Sequence, residues 1–226
     1  MLTPLLDLLA PPGCLACGEP GRSPLCGACR RDLRFLNDSG PCPRCALPRR
    51  PGGTHHHCPA ADAPWRLAWA PVAYTGPATR LVAALKYRGA LPCARLMAAQ
   101  VVAGAPPGLL GPAATLVPVP THPGRTRRRG YDQADVLARA IAARSGIPVV
   151  RCLKRTGAGA VRQQGAGRAE RLEAGRIDLR LTRPPPSHVV LVDDVHTTGA
   201  TLRAAAARLR EAGAADVVAV TWARTL

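Results

Sequence analysis

At 226 residues the chain has room for one α/β domain and a small appendage. Aromatic residues make up only 3% of it, so base-stacking surface is scarce, while a formal charge of +17 attracts polyanions, nucleic acid or phosphorylated small molecules. Met1 to Pro12 is apolar but too short to span a bilayer, lacks a basic leader and is interrupted by Asp7; with no longer apolar run elsewhere, this predicts a cytoplasmic chain without membrane insertion, opening on a short helix.

Seven of the nine cysteines fall before residue 60. Cys14-x2-Cys17, Cys26-x2-Cys29 and Cys42-x2-Cys45 are knuckles whose thiolates turn toward one tetrahedral ion. Where a fourth knuckle is expected the sequence reads His55-x2-Cys58, and imidazole is an acceptable zinc ligand. The simplest partition is Cys14/Cys17/Cys26/Cys29 and Cys42/Cys45/His55/Cys58. Interleaved pairing satisfies the same spacing, and a rubredoxin-like iron uses the same ligands. Zinc would compensate for the sparse apolar content of residues 13–60. The expected boundary lies near Ala60 to Pro64, giving a metal module over 1–62 and a body over 63–226.

In the body, Leu67 to Tyr74 reads as a strand and Pro77 to Tyr87 as a helix ending in Lys86, with Gly89 as its cap. Leu91 to Ala103 is a second helix. Thr115 to Pro120 is a strand opening into a basic loop, Thr121 to Gly130, with Arg125, Arg127, Arg128 and Arg129; a helix follows from Tyr131 to Arg144. A strand near Val149 to Leu153 precedes a Gly-rich, charged stretch with Arg155, Gln163 and Arg171, which reads as a lid loop. Cys93 and Cys152 sit among apolar residues as buried thiols.

The most informative stretch is His188 to Thr201. Val189 to Val192 reads as a strand buried on both faces, ended by Asp193 and Asp194. Thr197-Thr198-Gly199-Ala200-Thr201 then turns into a helix over Leu202 to Ala212, presenting amides and hydroxyls at a helix N-terminus where a phosphate is stabilised. The two carboxylates suit sugar hydroxyls or a divalent cation. Neither G-x-x-x-x-G-K-[ST] nor a helix-opening G-x-G-x-x-G occurs, which excludes both nucleotide fingerprints. Asp216 to Trp222 supplies the last strand.

This constellation resembles the PRPP-binding motif of type I phosphoribosyltransferases. With the knuckles, Leu85-Lys86-Tyr87, Val117-Pro-Val-Pro120, Arg129-Gly-Tyr-Asp-Gln-Ala134 and the terminal Ala223-Arg-Thr-Leu226, the whole chain resembles the ComF family, a double zinc ribbon ahead of a phosphoribosyltransferase domain associated with competence and DNA uptake. The resemblance implies an α/β fold with a mostly parallel sheet flanked by helices. It implies Asp193 and Asp194 as catalytic residues on the ribose, and Thr197, Thr198, Gly199, Ala200 and Thr201 around the 5′-phosphate. Thr121, Arg125 and Lys86 would lie on the pyrophosphate side, with Mg2+ accompanying PRPP. Arg127, Arg128, Arg129, Arg155, Gln163 and Arg171 would serve the lid or single-stranded DNA, and a helicase-type partner is implied. Two readings follow: an enzyme that transfers, or a sensor that binds, the phosphoribosyl group, and a non-catalytic DNA-binding protein that keeps a PRPP site. Asp132 and Ala174 stand where the family usually carries asparagine.

Overall fold

The computed structural model describes residues 13–36, 40–49, 57–156 and 177–226. Its centre is the pair β6 (His188–His196) and β7 (Asp216–Arg224), parallel neighbours in the order β1-β7-β6-β3. Here β1 is Leu67–Trp69 and β3 is Thr115–Pro118, while β2 (Val72–Ala73) continues along the same flank of β7 as β1. The near-continuous valine and alanine content of β6 and β7 is what a parallel strand covered on both faces requires. Alternation then divides the core. Val190, Val192, Val218 and Val220 pack with α2 (Pro77–Tyr87), α3 (Pro92–Gly104) and α5 (Gln133–Ser145). Val189, Leu191, Val217 and Ala219 face the other way, toward α6 (Ala200–Glu211).

Several expected elements differ in detail. Leu67 to Tyr74 is two short strands separated at Ala70-Pro71, because the proline has no N–H for the ladder. The expected strand near Val149 reduces to one bridge with Leu116. The chain then leaves the sheet, and β4 (Leu153–Arg155) pairs antiparallel with β5 (Leu179–Leu181). Lys154 is exposed, so this strand has one wet face and could not continue a doubly covered sheet. Cys93 and Cys152 are fully buried, as expected. Among the described residues no helix is long and apolar enough to cross a membrane.

The cysteine knuckles have no core of their own. Cys14, Cys29, Leu25 and Leu33 join the α2 side of the main core, whereas Cys42, Cys45 and Ala46 join the α6 side. The module thus straddles the β1–β2 edge, pairing Leu36 N–H with the Pro71 carbonyl at 2.8 Å and Ala68 N–H with the Pro43 carbonyl at 2.7 Å. Covering an edge in this way removes an open ladder. Arg44, between two knuckle cysteines, donates to the carbonyls of Ala63 (2.6 Å), Ala61 (3.1 Å), Arg66 (3.3 Å) and Trp65. In return Trp65 Nε1 donates to the Arg44 carbonyl at 2.8 Å. Replacing Arg44→Met strands several half-buried carbonyls and is expected to lower the unfolding free energy by about 1–3 kcal/mol, measured in urea with zinc saturating. An unchanged midpoint would mean that the metal alone holds the segment.

Candidate phosphate-binding site and metal centres

The expectation that the twin aspartates end the strand is corrected by the structure. Strand β6 runs on to His196, and Asp193 pairs with Thr221 of β7. The reason is the length of β7, whose ladder continues to Arg224 and carries β6 with it. Because β3 stops at Pro118 opposite Val192, the last four residues of β6 project beyond it. Helix α5 follows β3 on one face and α6 follows β6 on the other, so the gap beyond β3 is a topological switch point, where open α/β sheets bind ligands.

Asp193 and Asp194 are consecutive on the projecting end of β6, and their carboxyls stay near enough to interact. Asp194 is buried on the α2 side, where the Lys86 ammonium lies 2.6 Å from its Oδ2. That oxygen has no aligned hydrogen-bond donor among the described residues, so Lys86 acts as a counter-charge. Asp193 Oδ1 accepts the Asp194 N–H at 2.8 Å. The Asp193 carboxyl is enclosed by its neighbours although the residue keeps some solvent contact. Burial, with the Asp194 charge second, raises its pKa well above the usual carboxylate value, and Lys86 opposes that rise. Burial and the Arg125 charge both lower the Arg155 pKa, whereas Asp193 supports the guanidinium charge. Arg155, expected in the lid or on nucleic acid, is half-buried at the end of β4.

Beyond the acids, Thr197 and Thr198 are exposed and Thr201 is half-buried in the first turn of α6. Ala200, the first residue of that helix, has its N–H 3.4 Å from Thr198 Oγ1. Gly199 caps the helix at φ +79°, a left-handed conformation that favours glycine. A Cβ there would lie 2.6 Å from Nε2 of His196, whose ring is buried edge-on against Trp65 at 5.9 Å. Burial, then Arg224 and Arg203, holds His196 down to about pH 4, so it is a neutral packing group behind the loop. Below the loop the buried Arg224 donates to main-chain carbonyls. Sequence reading gives His196 no role, and gives Arg224 only its place in the terminal Ala223-Arg-Thr-Leu226 stretch.

The expected basic loop is mostly a short helix, α4 (Pro123–Arg129), started by Pro123 with His122 Nδ1 accepting from Gly124 N–H and stopped by left-handed Gly130. Arg125, Arg127 and Arg128 are exposed on it. Arg129 is instead half-buried, bonded to Gln133 Oε1 at 2.7 Å and stacked 5.2 Å from the centre of the Tyr87 ring. Asp132 caps α5 by accepting from Ala134 N–H at 3.0 Å. It also accepts from Thr121 N–H at 2.7 Å and from Thr121 Oγ1 at 3.1 Å. The aspartate that replaces the usual asparagine thus uses both oxygens, and the hydrogens of Thr121 are already committed to it. Tyr131 OH donates to the Leu85 carbonyl, fixing the end of α2 that carries Lys86.

Cys14, Cys17, Cys26 and Cys29 bring their sulfurs within 4.8 Å of one another, as do Cys42, Cys45 and Cys58. Both sets fit structural zinc in their donor chemistry. The interleaved pairing is not what the fold brings together. His55, the expected fourth ligand of the second set, lies outside the described residues, as do Gln163 and Arg171. Arg80 of α2 donates to Cys29 Sγ at 3.8 Å, an outer contact of the kind that orients metal ligands. Burial pushes the Cys29 and Cys45 thiols up to about 12 before metal displaces their protons. Cavities of about 390 and 340 Å³ lie beside Asp216 and His188, at the opposite ends of the strands from the acid pair.

The fold and these residues define a class: a double zinc ribbon joined to a phosphoribosyltransferase-type α/β domain. Residues 5–61 match the double zinc ribbon domain model and residues 127–225 the phosphoribosyl transferase domain model. The chain is 31% identical over 242 residues to DNA utilization protein YhgH of Escherichia coli K12, covering 97% of this chain and 100% of that protein. It is 35% identical over 112 residues to competence protein ComFC of Bacillus subtilis, covering 49% of this chain and 44% of that protein. Competence protein F of Haemophilus influenzae is 33% identical over 110 residues, covering 45% and 46%. The chain belongs to the ComF family.

Two outcomes follow for the acid pair and its loop. Folding raises the pKa of Asp193, so the folded state holds that proton more tightly than the unfolded one. Its carboxylate then destabilises the fold increasingly as pH rises from the ordinary carboxylate range through the raised folded value. Asp193→Asn is therefore expected to raise the melting temperature above neutral pH, by about 2–4 °C per kcal/mol relieved, with the gain vanishing in acid. Scans at several pH values check this, and a pH-independent difference would contradict it. Gly199→Ala combines a left-handed alanine, about 1–2 kcal/mol, with the His196 clash. It is expected to lower stability by more than 2 kcal/mol in urea titrations, roughly the upper backbone figure alone.

Proposed function

We propose that this protein binds PRPP with Mg2+ at the end of β6 and displaces its pyrophosphate with an acceptor, in the service of DNA handling. The observation that carries this reading is the buried acid pair followed at once by the left-handed Gly199 turn and the exposed Thr197 and Thr198. The turn offers amides and hydroxyls to a 5′-phosphate at the start of a twelve-residue helix. Asp193 and Asp194 take the ribose hydroxyls, and their negative charge stabilises the cation-like anomeric carbon as its bond to pyrophosphate breaks. Lys86, now on Asp194, and Arg125, on the facing loop, supply positive charge to the leaving pyrophosphate. Mg2+ bound with PRPP supplies further charge neutralisation there. The names of the relatives, DNA utilization and competence proteins, support a role connected with DNA.

A second reading, direct binding of single-stranded DNA, is favoured by one observation. Arg125, Arg127 and Arg128 are exposed together on α4, and no ion pair among the described residues engages them. Three such contacts predict a slope of about −2 in log affinity against log salt, at about 0.7 per phosphate on a single strand.

Calorimetric titration of the zinc-loaded protein with PRPP and Mg2+ is expected to give saturable binding. Asp193→Asn with Asp194→Asn should weaken it by roughly 100-fold or more, since each charge-assisted contact is about 1.5–3 kcal/mol. Oligonucleotide binding should survive that change and fall steeply with salt. Absence of PRPP binding to the wild-type protein would remove the first reading, and salt-independent oligonucleotide binding the second. Pyrophosphate release screened over nucleobases and amines then separates transfer from sensing.

A further inference from the structure

Arg224 is a buried cation at the carboxyl end of β7, and its four hydrogen bonds all go to main-chain carbonyls. Nε donates to the carbonyl of Cys45, in the second cysteine set, at 2.7 Å. Nη1 lies 2.7 Å from the carbonyl oxygens of His196, Thr197 and Thr225, which share its hydrogens. One rigid, planar guanidinium thus spans the backbone of a metal-binding knuckle and the first two peptide carbonyls of the loop after the acids.

The consequence for the loop is geometric. Every peptide bond described is trans, and in a planar trans peptide the N–H points opposite to the C=O. Holding the His196 and Thr197 carbonyls on Arg224 therefore turns the N–H groups of Thr197 and Thr198 away from it. Arg224 lies beneath the loop, so those N–H groups face the side on which Thr197 and Thr198 are exposed. The Thr225 N–H reinforces the arrangement, donating to the His196 carbonyl at 3.1 Å.

We infer that Arg224 is a positioning residue through which the second metal-binding set, Cys42, Cys45 and Cys58, sets the direction of the phosphate-loop amides. The role of those amides in holding a phosphate rests on the PRPP reading; the coupling between knuckle and loop does not. Lysine keeps the charge but has a single donor head, so it cannot hold Cys45 and the loop carbonyls in one fixed geometry.

The test uses the full zinc-loaded chain, comparing wild type, Arg224→Lys and Cys58→Ser, the last to remove one ligand of the second metal while leaving the Cys14 set intact. The amide resonances of residues 197–200 are followed by NMR, with zinc content and the Trp222 indole signal reporting an intact fold. The expected result is that both variants displace the loop resonances in the same direction, Arg224→Lys doing so with its zinc content unchanged. PRPP affinity in the presence of Mg2+ should fall about tenfold in each. Loop resonances at wild-type positions in either folded variant would overturn the inference. Wild-type protein that fails to bind PRPP while its loop still responds to Cys58→Ser would sink the PRPP reading and leave the coupling standing.

Discussion

Two carboxylates on consecutive residues of a buried strand repel each other unless positive charge is delivered to them, and the crest of this sheet delivers Lys86 from α2. The Lys86 ammonium lies 2.6 Å from Asp194, and its charge also favours the Asp193 carboxylate. The balance is uneven, because the ion pair at Asp194 is closed whereas Asp193 is raised toward its protonated form. The end of α2 is in turn anchored by Tyr131 on the Leu85 carbonyl and by Arg129 across Tyr87. The junction of α4 and α5 therefore fixes where Lys86 stands.

The metal module completes the sheet as well as decorating it. Strands β1 and β2 are three and two residues long, too short to close the β7 flank alone. The knuckles add backbone pairing along that edge and contribute Cys14 and Cys29 to one core and Cys42 and Cys45 to the other. Metal binding is then coupled to the packing of both layers, so affinity for zinc is in part stability of the α/β body.

What was legible in the sequence was chemistry tied to spacing. The C-x2-C knuckles, the Asp-Asp-x3-Thr-Gly order and the two-sided apolar strands each leave a local signature, and each lies where the spacing implied. What was not legible depends on contacts between distant segments. The length of β6 was underestimated because ladder pairing with β7, supplied by residues 216–224, outweighs the local reading of two acids as a terminator. The basic loop became α4 because Pro123 and Gly130 bracket it, a capping signal masked by four arginines. Arg224 falls in the terminal Ala223-Arg-Thr-Leu226 stretch but has no role legible from sequence, and only its packing against Cys45 and the loop shows which carbonyls it holds.

The charge of +17 also reads differently once contacts are known. Arg66, Arg139, Arg151, Arg203 and Arg208 face acids, and Arg44, Arg210 and Arg224 are spent on carbonyls. A polyanion therefore meets fewer free guanidinium groups than composition suggests, and Arg125, Arg127 and Arg128 on α4 are among the exposed ones. A sugar pyrophosphate and a nucleic-acid backbone would draw on Arg125 alike, because both present closely spaced phosphate oxygens to a bidentate fork. On the proposed readings, occupancy by one anion would lower the field left for the other, which would link the two candidate activities at this helix.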